Sequence, residues 1–238
     1  SDAKNYKICN SDGDLFGADI PCGENLFCST GECLPQFVSS FGGLSECKPY
    51  YHQSAEILFF CQGESMVLYN VLTKNNPHVI ERISLKNTVQ VFAYSQPNLF
   101  VGVKDIGVII FDISTLNKPK QIGIYPLATS IYSLLINQNT LYVAASLEGI
   151  HIVDISNIIT PTKLSTIEAD TTIHDLALSG NIMVSTRGSK GIRLYDITNA
   201  SQPVVLSDYD SDNTSAYARG IALSGNIAYA AMGLVGLE

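Results

Sequence analysis

Residues 176–186 read LALSGNIMVST and residues 191–198 read GIRLYDIT, and together they decide the fold class. The first segment has apolar runs on either side of Ser-Gly-Asn, a sequence typical of a tight β-hairpin turn. The second segment alternates apolar and polar residues and contains β-branched residues, as a half-buried strand requires. A turn that ends at Pro203 then leads to VVLSDY, a fourth short strand. The stretch therefore predicts one four-stranded antiparallel sheet.

The same pattern returns every 42 residues. The related phrases YNVLTKNNP, FDISTLNKP, VDISNIITP and YDITNASQP end at Pro77, Pro119, Pro161 and Pro203. The residue at the end of the third strand keeps this step at Asn70, Asp112, Asp154 and Asp196, and a glycine keeps it at Gly107, Gly149 and Gly191. The next glycine, Gly236, follows after 45 residues. We expect each Asp to accept hydrogen bonds from backbone N–H groups of the turn that follows it.

Four antiparallel strands every 40 to 45 residues is the spacing of a β-propeller blade. A β-solenoid is the main alternative, but its coils repeat at shorter periods. We therefore predict an all-β propeller whose blades cover residues 44–84, 88–125, 130–168 and 173–209, with a partial fifth blade at 217–238. Because the chain ends inside that blade, either the natural protein continues or another chain or segment supplies the missing strands. We favour continuation to a ring of five to eight blades.

Composition excludes several classes of protein. The chain has 238 residues, of which 46% are hydrophobic and 15% charged, so it is not intrinsically disordered. Its formal net charge of −8 leaves no cationic excess for a phosphate backbone, which argues against nucleic acid as a partner. No apolar run is long enough to span a membrane.

All six cysteines lie within the first 61 residues of the chain: Cys9, Cys22, Cys28, Cys33, Cys47 and Cys61. An even number in a Gly- and Asp-rich stretch favours a disulfide framework. Half a zinc site at Cys28 and Cys33 is the alternative, but it lacks a second close pair. We predict a disulfide-rich head over residues 1–43 and, because disulfides persist in oxidising compartments, an extracellular or cell-surface location.

The phrases GIHIVDIS, GIRLYDIT and ALSGNIAYAA resemble the LVIVD repeat family, over about residues 45–238. The resemblance implies a secreted or cell-surface β-propeller without an agreed enzymatic activity. The cysteine-rich head resembles small EGF-like or knottin-like modules. The first unit departs from the repeat, since Asn70-Val71-Leu72 replaces Asp-Ile-Ser.

The repeat predicts one disulfide directly. By the 42-residue step the first hairpin of blade one turns near Ser54, and Cys47 and Cys61 each lie seven positions from it. They would face each other across the hairpin, so we predict a bridge between them. The remaining cysteines would pair within the head, in the arrangement Cys9–Cys28 and Cys22–Cys33.

The inner strands of a propeller begin around a central channel, where ligands commonly bind. In register, the residues that begin them are Lys48, Gln90, Tyr132, His174 and Arg219. Such a ring could bind a glycan or an acidic peptide through hydrogen bonds and stacking, or could simply line a wet channel.

No sequence motif favours catalysis. His174 adjoins Asp175, but neighbouring residues of a strand point to opposite faces, and no nucleophile elbow or phosphate loop accompanies them. Asp208, Asp210 and Asp212 resemble a calcium loop, but the positions that follow do not supply the remaining ligands, so we predict no metal and no cofactor.

Two N-glycosylation sequons are present, at Asn199 and Asn213, both in predicted surface loops. The leading hypothesis is a non-catalytic extracellular interaction or structural module, part of a larger cell-surface or matrix glycoprotein. Its partners would be other domains or copies of itself, with assembly into a filament as one form. The alternative is a carbohydrate-binding propeller that uses the channel face.

Overall fold

The computed structural model describes residues 26–29, 32–35, 47–52, 56–71, 78–116, 118–210, 215–225 and 227–237. These residues form twenty β-strands, and no helix occurs among them. Accordingly, no helix within the described ranges could cross a membrane.

The strands form six antiparallel sheets, each built from strands that are consecutive in the chain. A two-stranded ribbon comprises β1 (Leu26–Ser29) and β2 (Glu32–Pro35). The first four-stranded sheet comprises β3 (Tyr50–His52), β4 (Ile57–Gln62), β5 (Ser65–Asn70) and β6 (His78–Ser84). The second comprises β7 (Val89–Ser95), β8 (Asn98–Val103), β9 (Gly107–Asp112) and β10 (Lys120–Pro126).

The third sheet comprises β11 (Ser133–Asn137), β12 (Thr140–Ala144), β13 (Ile150–Asp154) and β14 (Thr162–Ile167). The fourth comprises β15 (Leu176–Ser179), β16 (Ile182–Thr186), β17 (Ile192–Asp196) and β18 (Val204–Tyr209). A fifth sheet of the series has two strands, β19 (Ala216–Ser224) and β20 (Ile227–Gly233).

In the five sheets from β3 to β20, the first strand of each sheet lies innermost. Strand β7 contacts β3 and β11, and β15 contacts β11 and β19. Since successive sheets meet along these inner strands, the arrangement is that of blades around an axis. The predicted all-β, propeller-like fold is therefore confirmed, and the chain ends in a fifth, blade-like sheet.

The hydrophobic core consists of apolar layers between neighbouring sheets, and strand β12 shows how one strand serves two of them. Leu141 and Val143 are fully buried in the layer toward the second sheet, whereas Tyr142 and Ala144 are buried in the layer toward the fourth. Successive side chains of a strand point to opposite faces, so both faces of the third sheet are covered. This explains the continuous apolar run LYVAA at 141–145.

The repeated aspartates fix the turn after each third strand, as predicted. Oδ1 of Asp112, Asp154 and Asp196 accepts a hydrogen bond from the backbone N–H two residues later, at 2.8 Å in each case. In the first two turns the hydroxyl group of that later residue donates as well. These donors stabilise the ionised carboxylate and lower the pKa of all three aspartates.

Cys47 and Cys61 are joined by a disulfide, with their Cα atoms 6.0 Å apart. The strand register differs by one residue from the symmetric hairpin assumed for this pair, because Tyr51 pairs with Leu58. Strand β3 begins only at Tyr50, so Cys47 precedes the paired region and can adjust its position.

The head predictions are left untested. Strands β1 and β2 place Cys28 opposite Cys33 in the backbone register, but Cys9 and Cys22 lie outside the described residues. The proposed boundary between head and propeller also falls outside them.

Candidate ligand-binding site

The five predicted channel residues lie at or near the starts of the inner strands and form two groups with different surroundings. Tyr132, His174 and Arg219 belong to a row of aromatic and cationic side chains. Lys48 and Gln90 lie where the first two sheets meet, and the Lys48 N–H donates to the Gln90 carbonyl at 3.0 Å.

Gln90 has a structural role at the junction between sheets. Its side-chain Oε1 accepts a hydrogen bond of 2.9 Å from the backbone N–H of Ile131, a fully buried residue of the next sheet. The amide therefore links two blades rather than facing a ligand with this oxygen.

The aromatic row comprises Tyr132, His174, Tyr217 and Arg219. Ring centroids are 5.3 Å apart between Tyr132 and His174 and 5.4 Å apart between His174 and Tyr217. The His174 Nε2 lies 3.0 Å from the Tyr217 hydroxyl, and the Arg219 guanidinium carbon lies 5.3 Å from the centre of the Tyr217 ring. The three rings are partly exposed and Arg219 is exposed, so the row forms a continuous surface across the third, fourth and fifth sheets.

Tyr217 is the member of the row that the sequence did not predict. It lies 43 residues after His174, and the extra residues in the loop before β19 obscure the 42-residue step. A register shift in β19 between Ala216 and Gly220 covers this position. The shift places the Tyr217 ring between His174 and Arg219, which are equivalent in the repeat.

The Asp175 carboxylate connects several blades, and we call it with its donors the Asp175 hub. Oδ1 accepts hydrogen bonds from the Ser133 hydroxyl at 2.9 Å and from the Leu176 N–H at 3.0 Å. Oδ2 accepts from the Ile221 N–H at 3.2 Å. The ammonium group of Lys48 lies 2.6 Å from Oδ1, and the Asp175 side chain is 17% exposed.

The side chains of His174 and Asp175 have different hydrogen-bond partners. The imidazole of His174 contacts the two tyrosines of the row, whereas the Asp175 carboxylate bonds Ser133 and Lys48. These different partners agree with the expectation that adjacent strand residues point apart. Within the described part of the chain, no three His, Cys, Asp or Glu side chains group as metal ligands.

A charged network lies beside the fourth sheet. The Arg187 side chain, only 6% exposed, donates to both carboxylate oxygens of Asp170 and to Asp208. Lys190 also donates to Asp170, and Arg193 donates to Asp208. These donors hold the pKa of both carboxyl groups below the usual range. The Asp208 carboxylate, which belongs to the calcium-loop-like sequence, is thus paired with Arg187 and Arg193.

A buried histidine lies between the second and third sheets. His151 is 7% exposed, and its Nδ1 lies 2.8 Å from the Tyr125 hydroxyl. Burial disfavours the charged imidazolium and lowers the pKa of His151.

The sequon residue Asn199 is exposed in the turn after β17. Its Oδ1 accepts a hydrogen bond from the Ser201 N–H at 3.1 Å. The second sequon residue, Asn213, lies outside the described residues.

Comparison with known proteins supports the repeat and the fold. The family model described as "LVIVD repeat" matches residues 132–167 and 215–237. No curated protein matches the sequence. Among solved structures, the computationally designed Ika8 protein is similar over 93% of this chain and 63% of its own, with 18% identity and a TM-score of 0.64.

Two other solved structures show the same architecture. Raptor from Chaetomium thermophilum is similar over 80% of this chain and 19% of its own, with 16% identity and a TM-score of 0.64. A chain of the Mitotic Checkpoint Complex is similar over 85% and 63% of the two chains, with 13% identity and a TM-score of 0.62. This chain spans less than two thirds of the length of each of the three. The chain thus matches the LVIVD repeat in two segments, and its described residues form an all-β, propeller-like fold.

Proposed function

We propose that this chain is a non-catalytic, extracellular interaction module that holds a protein partner on the aromatic row. The observation that carries the proposal is the continuity of the row: Tyr132, His174, Tyr217 and Arg219 succeed one another at contact distance over three sheets. Tyrosine and arginine are among the residue types enriched in interface hot spots. Repeat propeller-like folds commonly serve as protein-interaction modules, which agrees with this role.

The row is ordered before a partner binds. The hydrogen bond between His174 and Tyr217 and the position of Arg219 over the Tyr217 ring restrict the rotamers of all three side chains. Association then loses less side-chain entropy than it would with freely rotating residues.

The extracellular location rests on the disulfide between Cys47 and Cys61, because such bonds persist in oxidising compartments. Occupied sequons at Asn199 and Asn213 would agree with this location. Assembly into filaments stays a prediction, and sedimentation velocity over a concentration series tests it.

Peptide selection tests the proposed function. A random peptide library is selected on the immobilised chain, and the recovered peptides are measured against purified variants by isothermal titration calorimetry. We expect Tyr217→Ala to weaken binding at least tenfold. The matched control is Tyr229→Ala, because Tyr229 is 41% exposed on β20 and lies outside the row. Peptides that bind the Tyr217→Ala and wild-type chains equally would contradict the proposal.

Carbohydrate binding is the second candidate, and the partly exposed faces of the Tyr132 and Tyr217 rings favour it. Aromatic rings with hydroxyl groups stack on the apolar faces of sugars and donate hydrogen bonds at the same time. A glycan array separates the two candidates. Sugar binding that is lost in His174→Ala or Arg219→Ala would favour the lectin-like function.

A further inference from the structure

We propose that the Asp175 hub is a binding site for a primary ammonium group, which the chain's own Lys48 occupies in this structure. A lysine side chain of the partner would take the same place. The inference rests on the proposed function, since it names the chemistry by which a partner on the aromatic row is recognised.

The carboxylate is positioned independently of Lys48. The Ser133 hydroxyl and the Leu176 N–H hold Oδ1, and the Ile221 N–H holds Oδ2. These donors come from three sheets and carry no charge. They fix the two oxygens but leave the negative charge of a largely buried group to be balanced, and buried charges are normally paired.

Lys48 balances that charge from the solvent side. Its ammonium group lies 2.6 Å from Asp175 Oδ1 and 3.5 Å from the His174 carbonyl oxygen, so two acceptors converge on one cation. The Lys48 side chain is 45% exposed, and 127 positions separate it from Asp175. An exposed, flexible lysine can leave without disturbing the three neutral donors, and a second ammonium group can then enter.

The surroundings favour a cationic ligand. The whole chain carries a formal charge of −8, which steers cations toward it. A lysine-bearing segment therefore fits this site better than an acidic peptide, because Asp175 already neutralises Lys48.

The test is the binding of n-butylammonium, which reproduces a lysine side chain, measured by calorimetry and by the rise in melting temperature. We expect Lys48→Ala to bind n-butylammonium at least tenfold more tightly than the wild-type chain. n-Butanol, which has the same stem without the charge, should not bind. Adding Asp175→Asn to Lys48→Ala should abolish the gain.

Lys190→Ala is the matched control. Lys190 pairs with Asp170 at 2.9 Å, but both side chains are nearly half exposed, so water fills the place of the lost ammonium group. This variant should gain no affinity for n-butylammonium. Equal gains in affinity in the two lysine variants would overturn the inference, because they would show that n-butylammonium binds any carboxylate that has lost its lysine.

A second measurement covers the case in which Lys48→Ala does not fold. In the wild-type chain, excess n-butylammonium should shift the amide resonance of Leu176, whose N–H bonds the same oxygen as Lys48. An unshifted resonance, or binding that survives Asp175→Asn, would mean that the Lys48 contact is only a structural link between blades. Selected peptides that need Tyr217 but contain no essential lysine would leave the proposed function standing and the ammonium site refuted.

Discussion

A Cβ atom on Gly149 would lie 2.0 Å from the carbonyl oxygen of Ile167, the last residue of the outer strand β14. The other two glycines of the 42-residue repeat have the same relation. A Cβ on Gly107 or Gly191 would lie 2.1 Å from the carbonyl oxygen of Tyr125 or Tyr209. The repeated glycine therefore permits the close approach of the outer strand's backbone to the start of the third strand.

Gly149→Ala should destabilise the fold severely. Its φ of +87° is unfavourable for a residue with a side chain, and the new Cβ would collide with a backbone atom that cannot move alone. We expect a loss of about 4 kcal/mol or more in urea-induced unfolding, in the range of the most disruptive substitutions.

The matched control is Gly180→Ala, at a φ of +58° with no atom within 4 Å of the new Cβ. Its free energy of unfolding should decrease only by the cost of the left-handed conformation, about 1–2 kcal/mol. Equal losses in the two variants would show that the conformation of Gly149, and not its contact with β14, explains the repeat.

The three turn aspartates should make the fold sensitive to acid. Their pKa values are lowered in the folded state, so their stabilising contribution is complete above the unfolded value of 3.8 and is lost as the pH falls through the folded values. The triple variant Asp112→Asn, Asp154→Asn, Asp196→Asn keeps the acceptor oxygens but cannot titrate. Its stability should decline less than that of the wild-type chain below pH 3.8. If the urea midpoints of the variant and the wild-type chain decreased in parallel from pH 5 to pH 2, this prediction would be contradicted.

Arg187 should contribute more to stability than its exposed neighbours in the charged network. Its side chain is 6% exposed, whereas Asp170 and Asp208 are nearly half exposed. Removing a buried ion pair's partner costs about 3–5 kcal/mol, and solvent around the two carboxylates reduces this, so we expect about 2–3 kcal/mol for Arg187→Met. The Lys190 side chain is 48% exposed, so Lys190→Met should lower the free energy of unfolding by less than about 1 kcal/mol.

High salt distinguishes the two contributions. In 1 M NaCl the effect of Lys190→Met should vanish, because exposed pairs are screened, while most of the Arg187→Met effect should persist. Chemical unfolding in urea with and without salt provides the measurement. Loss of both effects in salt would mean that Arg187 acts as an ordinary surface charge.

The fold could be predicted from the sequence because each repeated residue makes contacts within its own blade. The turn aspartates accept hydrogen bonds from N–H groups two residues away, and Gly149 permits the close approach of a neighbouring strand of its own sheet. The link between Cys47 and Cys61 spans 14 positions of one hairpin. Such constraints act within one blade and therefore recur at a fixed step.

The site could be predicted only in part because it depends on how blades sit against one another. The repeat placed His174 and Arg219 at equivalent positions, but the Tyr217 ring between them depends on the register shift in β19. The pairing of Lys48 with Asp175 joins two residues 127 positions apart, and no spacing in the sequence encodes it.

Because His151 is buried, the folding stability should decrease as the pH is lowered from 7 to 5. Burial lowers its pKa below 6.5, despite Glu148 and Glu168 nearby, and the charge of Lys163 lowers it further. The unfolded chain therefore binds a proton on this residue more readily, and stability is lost as the pH falls below about 6.5. His151→Gln, which retains hydrogen-bonding groups for the Tyr125 hydroxyl, should flatten the dependence of the urea midpoint on pH. The same slope in the variant and the wild-type chain would show that protonation of His151 does not oppose folding.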